Sequence, residues 1–198
     1  MAIDFEKIRQ KVAQLSGNRK SDLWSPKKDK EYNIRILPWP NGSDGCLALE
    51  RTFYYNIADG RPILAPSQFN KPDPIQELIN KLRNEGTPGA MELCKQLYSK
   101  RRYYVPVIVR GEEDLGPKLW GFGKQVYQEI LDAMLGDFGD ITDLREGRDV
   151  KVTMTQISGK AFAETHAMPR VAQSPAVTAK QIKEWNAAVT KLDEIYTL

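Results

Sequence analysis

The chain predicts a mainly β domain with α insertions, its short strands gathered into a small barrel. Three observations carry this. Apolar and polar residues alternate in six or seven short runs; turn clusters such as Asn41-Gly42-Ser43-Asp44-Gly45 and Asp59-Gly60 separate them; and helical spacing is confined to a few segments between the runs. At 198 residues with 41% apolar content, the length suits one substantial core carrying a small subdomain.

Taken in order, residues 4 to 16 set Phe5, Ile8, Val12 and Leu15 on one helical face, with Asp4 as N-cap and Gly17 as terminator. This defines an N-terminal arm, residues 1–22. The segment "NRKSDLWSPKKDKEY" reads as a polar linker with Trp24 exposed in its middle. Three strands in antiparallel order are then expected at "YNIRILPWP", "CLALERTFYYNI" and "RPILAP". A helical insertion at about 72–99 follows, made of "DPIQELINKLRNEG" and "PGAMELCKQLYSK". Its first helix is well signed: Asp73 caps, Pro74 sits at the first position, Gln76 completes a capping box, and Ile75, Leu78, Ile79 and Leu82 form one face.

The strand "KRRYYVPVIVR" leads through a hairpin loop at "GEEDLGP" to a strand at "KLWGFG" and a helix at "KQVYQEILDAML". Strands at "DVKVTMTQISG" and "KAFAETHAMPR" complete a core spanning 23–170, and residues 171–198 close the chain with a helix from about Thr178 to Tyr196. Strands and helices do not strictly alternate. That pattern fits an OB-fold-like barrel with a small helical subdomain and flanking N- and C-terminal helices, rather than a parallel sheet.

A net charge of +3 is mildly basic, so attraction to a polyanion must come from where the cations sit. Cys46 and Cys94 stand far apart and offer no framework of bridges, which suits a reducing compartment and makes the cytoplasm the expected location. No run approaches the roughly 18 apolar residues of a membrane span.

Rings and cations travel together in five strand-like places. "KRRYYVPVIVR" joins Lys100, Arg101 and Arg102 to Tyr103 and Tyr104; "ERTFYYN" joins Arg51 to Phe53, Tyr54 and Tyr55; "KLWGFGK" brackets Trp120 and Phe122 with Lys118 and Lys124; "RILPWP" offers Arg35 and Trp39; "SGKAF" offers Lys160 and Phe162. A core ring needs no cation beside it. A groove for unpaired nucleic acid needs both, because rings stack on bases and cations neutralise phosphates. Alternation sends Tyr103 and Tyr104 to opposite faces, one toward the interior or rim and one outward. Edge protection of a strand by charges and Pro106 explains part of the same pattern.

Catalytic signatures are weak. "DFG" at 137 to 139 lacks the companion kinase motifs, and "GFGK" at 121 to 124 lacks the spacing of a phosphate-binding loop. Asp137, Asp140 and Asp143 read as solvated acids, with metal chelation the alternative. His166, the single histidine, has no close-spaced partners for zinc.

In the order of "IRILP", "KRRYYVPVIVR", "LWGFGK" and "VTMTQISG", the chain resembles the single-stranded DNA-binding, helix-destabilising proteins of T-even-type tailed bacteriophages. The resemblance runs from about Phe5 to Arg170. It implies an OB-fold core that coats single-stranded DNA cooperatively, without enzymatic activity or cofactor, during phage replication, recombination and repair. Lys100, Arg101, Arg102, Tyr103 and Tyr104 correspond to the family's basic-aromatic strand, Trp120 and Phe162 to aromatics beside DNA, and Arg19, Lys20 and Ser21 to a segment contacting neighbouring molecules. Self-association along DNA and replication or recombination partners are implied as well. Two departures stand out. Where the best-known relatives carry a Cys-Pro-x-Cys zinc run, this chain has Asp73-Pro74-Ile75-Gln76, so no zinc is expected and the capping box takes over the start of that helix. The chain also stops at "KLDEIYTL", where family members continue into a long acidic tail, so that either the sequence is cut short or partner recruitment differs.

The residue pattern leaves three rivals to DNA coating: an RNA-binding OB-fold protein, a metal-dependent nuclease using the acidic loop at 137–143, and a scaffold whose aromatic patches bind protein.

Overall fold

The computed structural model describes residues 23–39, 46–58, 61–143, 145–159 and 162–174. The expected N-terminal arm with Arg19, Lys20 and Ser21, the C-terminal helix, and Lys160 lie outside the described residues.

The fold is mixed α/β, built on one large open sheet. Its strands are β1 (Leu23–Trp24), β2 (Lys30–Ile36), β3 (Leu49–Ala58), β4 (Arg61–Leu64), β5 (Lys100–Val109), β6 (Lys118–Phe122), β7 (Arg148–Thr155) and β8 (Glu164–Gln173). The helices are α1 (Pro74–Glu85), α2 (Pro88–Gln96) and α3 (Lys124–Ala133), the last running into a π turn at Met134–Phe138.

The sheet runs β1-β6-β5-β2-β7-β8, with β3 and β4 branching from β5. Of the three strands expected in antiparallel order, β3 and β4 do pair that way, but β2 does not join β3: it pairs with β5 and β7, and the free edge of β3 is taken by β5. The branch arises because β5 is long enough to serve two partners on one edge. Residues 100–104 pair with β3, and residues 107–109 pair with β2. Among the described residues no pairing joins β8 to the opposite edge, so the sheet is not a closed barrel.

Alternation along the strands divides the sheet into two faces. One carries Ile34, Ile36, Tyr103, Val105, Val107, Trp120, Val150 and Val152, and α3 covers it with Val126 and Ile130. The other carries Phe53, Tyr104 and Leu119, with Leu64 from β4, Trp39, Tyr55 and Phe69 packed against them.

Trp24 corrects the linker reading. It is 9% exposed, pairs in parallel with Trp120 through β1, and sets its ring edge-on to Trp120 and Tyr32. A ring of that size contributes more by filling the core than any polar neighbour loses by being fixed there.

α1 starts as its sequence signs it. Asp73 accepts from the Gln76 amide at 3.0 Å, with Pro74 at the first position. The return bond of a capping box is not made, because the Gln76 side chain engages Asn80 and the Tyr54 hydroxyl. Ile79 is buried against Tyr54, Ala65 and Cys94, and Ile75 and Leu82 pack beside them, whereas Leu78 is 43% exposed and leaves the expected apolar face.

At the far edge, the Glu129 carboxylate of α3 accepts from the Ala167 amide of β8 at 3.1 Å and approaches His166 Nδ1 at 2.9 Å. Pro169, two residues further, has no amide hydrogen to offer. Among the described residues no helix is long and apolar enough to cross a membrane.

Candidate nucleic-acid interface

The β3–β5 ladder brings cations into register. Arg51 faces Arg102, Thr52 faces Arg101, and Phe53 faces Lys100. Arg51, Lys100 and Arg102 therefore share the face of Phe53 and Tyr104, and Arg101 points to the other. Like charges set directly opposite each other disfavour the ladder, yet the fold keeps this pair. Arg51 lies over the Phe69 ring with its guanidinium carbon 5.6 Å from the centroid, Lys100 lies over the Tyr55 ring at 5.7 Å, and Arg102 donates to Gly121 O at 2.8 Å. Among the described residues Arg102 makes no ion pair. Trp39, Tyr55 and Phe69 are all half-buried.

Several expected contact residues lie elsewhere. Tyr103 and Tyr104 are both buried, at 7% and 4% exposure, so neither offers a free face to a base. Tyr103 stacks on Tyr127 of α3 with centroids 4.1 Å apart, and Tyr104 packs against Phe53 and lies over Gly121. Trp120 is enclosed between Trp24 and Phe122. The reason is common to all three: both faces of the central strands are covered, one by α3 and one by the segments carrying Trp39 and Phe69.

Tyr54 points toward the helical insertion, where its hydroxyl donates to Asp73 at 3.0 Å. Burial, joined by that carboxylate, pushes its phenol up to about 12. Burial works against the Asp73 carboxylate too, but hydrogen bonds from the Gln76 amide, the Ser67 hydroxyl and Tyr54 outweigh it and hold the group below the usual carboxylate range. Tyr54 is thus the joint between sheet and insertion.

Arg35 is fully buried, and donates to the Asp143 carbonyl from beneath the loop that precedes β7. Burial lowers its pKa. It cannot reach a ligand from there. Lys118 sits on the opposite face from Arg102 and pairs with Glu112 at 3.1 Å. Arg101 is exposed and pairs loosely with Glu50 at 3.4 Å. Lys124 opens a groove of about 500 Å³ along α3 that also contains Glu129 and Asp132, a mixed surface. Phe162, ahead of β8, is 84% exposed.

Two carboxylates of the acidic loop turn back on the loop itself. Asp140 accepts from Thr142, and Asp143 accepts from the Arg145 and Glu146 amides at 2.7 Å, which lower its pKa. Among the described residues no group of three or more His, Cys, Asp or Glu side chains is placed to hold a metal ion.

Sequence reasoning passed over Phe69 and Tyr98. Tyr98 is 62% exposed just ahead of Lys100. Phe69 was hidden because its cation, Arg51, lies on a different strand, although Lys71 close by repeats the ring-and-cation signal. No protein-family model matches the chain, and no curated protein matches it.

Proposed function

We propose that this chain coats single-stranded DNA, cooperatively and largely without sequence preference, in phage DNA replication, recombination and repair. The observation that carries the reading is the opposed pair Arg51 and Arg102, flanked by Lys100 and by the half-buried rings Tyr55, Phe69 and Trp39. Arg51, Lys100 and Arg102 put three cations on one face of the β3–β5 ladder, and a backbone of phosphates laid along them supplies one charge per nucleotide. Exposed Phe162 and Tyr98 add faces on which unpaired bases stack. The tight packing of Tyr103, Tyr104 and Trp120 changes their part in this reading from stacking platforms to the frame that holds the cations.

An OB-type barrel is the finer architecture we infer for the sheet. It is supported by β5, which serves β3 with its first half and β2 with its second. The site of action is the host cytoplasm, the partners are neighbouring copies along the strand and replication or recombination proteins, and the role is not enzymatic.

The test is fluorescence anisotropy with labelled oligothymidine, duplex DNA and a matching RNA at two salt concentrations. Tight binding of oligothymidine that weakens with salt, with duplex and RNA held more loosely, supports the reading. Equal affinity for RNA moves it to the RNA-binding alternative. Absence of binding to all three ends it in favour of a protein scaffold.

A further inference from the structure

Toward β8 the sheet leaves part of one face in solvent. Alternation sets Glu31 and Asn33 of β2, Lys151 of β7 and Met168 of β8 on the face opposite Val150 and Val152, away from α3, and Asn33, Lys151 and Met168 form one rung. The pairing of β2 with β5 makes this the same face that carries Arg51, Lys100 and Arg102. Met168 is 57% exposed here, and Glu31, Lys151 and Arg170 each keep two-fifths or more of the side chain in solvent.

On this open area two cations from different strands meet one carboxylate. Glu31 receives Lys151 Nζ at 2.6 Å and Arg170 Nη2 at 3.0 Å. Arg170 reaches from β8 over β7 to do so, and the Asn33 carboxamide oxygen steadies it, accepting from Nε at 3.0 Å and from Nη2 at 2.7 Å. The hydrogen bond from Lys151, joined by Arg170, holds the Glu31 carboxyl below the usual carboxylate range. Directly ahead of Glu31, the turn at 27–30 is pinned to β7 by the Asp29 amide, which donates to Met154 O at 2.8 Å. Its lysines, Lys27, Lys28 and Lys30, are exposed and make no ion pair among the described residues, so the surroundings of the pair stay positive.

We infer that Lys151 and Arg170 form a seat for one backbone phosphate of a single strand, and that Glu31 occupies this seat in the free protein and leaves it when the strand binds. The inference rests on the proposed coating role. A carboxylate and a phosphodiester offer these donors the same thing, one negative charge shared by two oxygens, and a guanidinium beside an ammonium suits either. An exposed ion pair contributes little to stability, so exchanging its anion costs the fold little. The resident carboxylate turns away a lone anion, whereas a phosphate within a strand is held by its neighbours' contacts as well and displaces Glu31. Asn33 is a positioning residue, because it fixes the Arg170 fork whichever anion is present.

The experiment measures oligothymidine affinity over a salt series for Glu31→Gln, for the double variant Lys151→Met with Arg170→Met, for the triple variant that joins them, and for Glu92→Gln, which removes the same charge from an exposed pair with Lys95 on α2. Glu31→Gln should tighten binding several-fold, well beyond Glu92→Gln. The double variant should weaken binding and flatten the slope by about 0.7, the share of one single-strand phosphate contact. In the triple variant the gain from Glu31→Gln should shrink to that of Glu92→Gln. A gain no larger than the Glu92→Gln control, or one that persists without Lys151 and Arg170, overturns the inference. Acetylation of Lys151, read by mass spectrometry, gives an independent result: saturating oligothymidine should slow it several-fold in the parent and in Glu31→Gln, and an unchanged rate overturns the seat. If neither the parent nor Glu31→Gln binds a single strand at any salt, the coating role and the seat both fall. If the parent binds and Glu31→Gln matches it, the seat alone falls.

Discussion

The ring of Tyr104 lies across Gly121, its partner on β6: a Cβ built on that glycine would stand 2.6 Å from Tyr104 Cε1 and 3.1 Å from Cδ1. Gly121→Ala therefore displaces a buried ring, with an expected loss of about 1 to 3 kcal/mol of stability from overpacking. Urea unfolding should record it. Gly121→Ala combined with Tyr104→Leu should recover part of the loss, because the smaller side chain vacates the contested space.

Trp24 is expected to matter far more than its polar surroundings suggest. Replacing it with Ala removes a ring wedged between Trp120 and Tyr32 and should cost about 3 kcal/mol or more. A fall in the thermal midpoint of only a degree or two would show that β1 is a loose attachment.

The joint at Asp73 sets an acid limit. Its carboxyl is held below the ordinary range, so the native state favours the ionised form. The associated stability is present above the unfolded value of about 3.9 and drains away as pH falls through the lower native value. Asp73→Asn should be less stable at neutral pH and should flatten the decline between about pH 5 and 3, as followed by urea midpoints. Tyr54 behaves in the opposite sense. With its phenol raised to about 12, its contribution is complete below the unfolded value of about 10 and is lost as pH climbs through the native one.

Charge and ring are separable at the surface. Lys100→Gln should reduce the salt slope of single-strand binding by about 0.7, with little change in stability. Phe162→Ala should leave both the slope and the thermal midpoint nearly unchanged while weakening binding by about 1 to 3 kcal/mol, the worth of one stacked base. Anisotropy titrations over a salt series distinguish the two. A Phe162→Ala protein that binds as tightly as the parent would remove that ring from the contact surface.

What could be read from the sequence was local. The cap at Asp73 followed by Pro74 lies within a few residues, and the alternation in "KRRYYVPVIVR" marks a strand whatever it pairs with. Partners separated by a long stretch of chain left no such trace. β1 is only two residues long and finds β6 about a hundred residues away, so Trp24 looked like part of a tether. Closeness along a strand also misled, because successive side chains point to opposite faces. Lys118 and Trp120 share the face packed under α3, whereas the ring that serves Arg51 is Phe69, from a turn 18 residues later. Arg35 resembled a surface cation until the loop before β7 was seen to close over it.

The guarded edge of β8 bears on how such a protein tolerates crowding. A strand left open at the end of a sheet invites its counterpart on the next molecule to zip alongside, and that union grows into insoluble fibres more readily than it reverses. With Glu129 occupying the Ala167 amide and Pro169 offering none, two consecutive outward rungs of that ladder are missing. Copies crowded side by side can then meet through side chains, slide and let go, rather than fuse along their backbones.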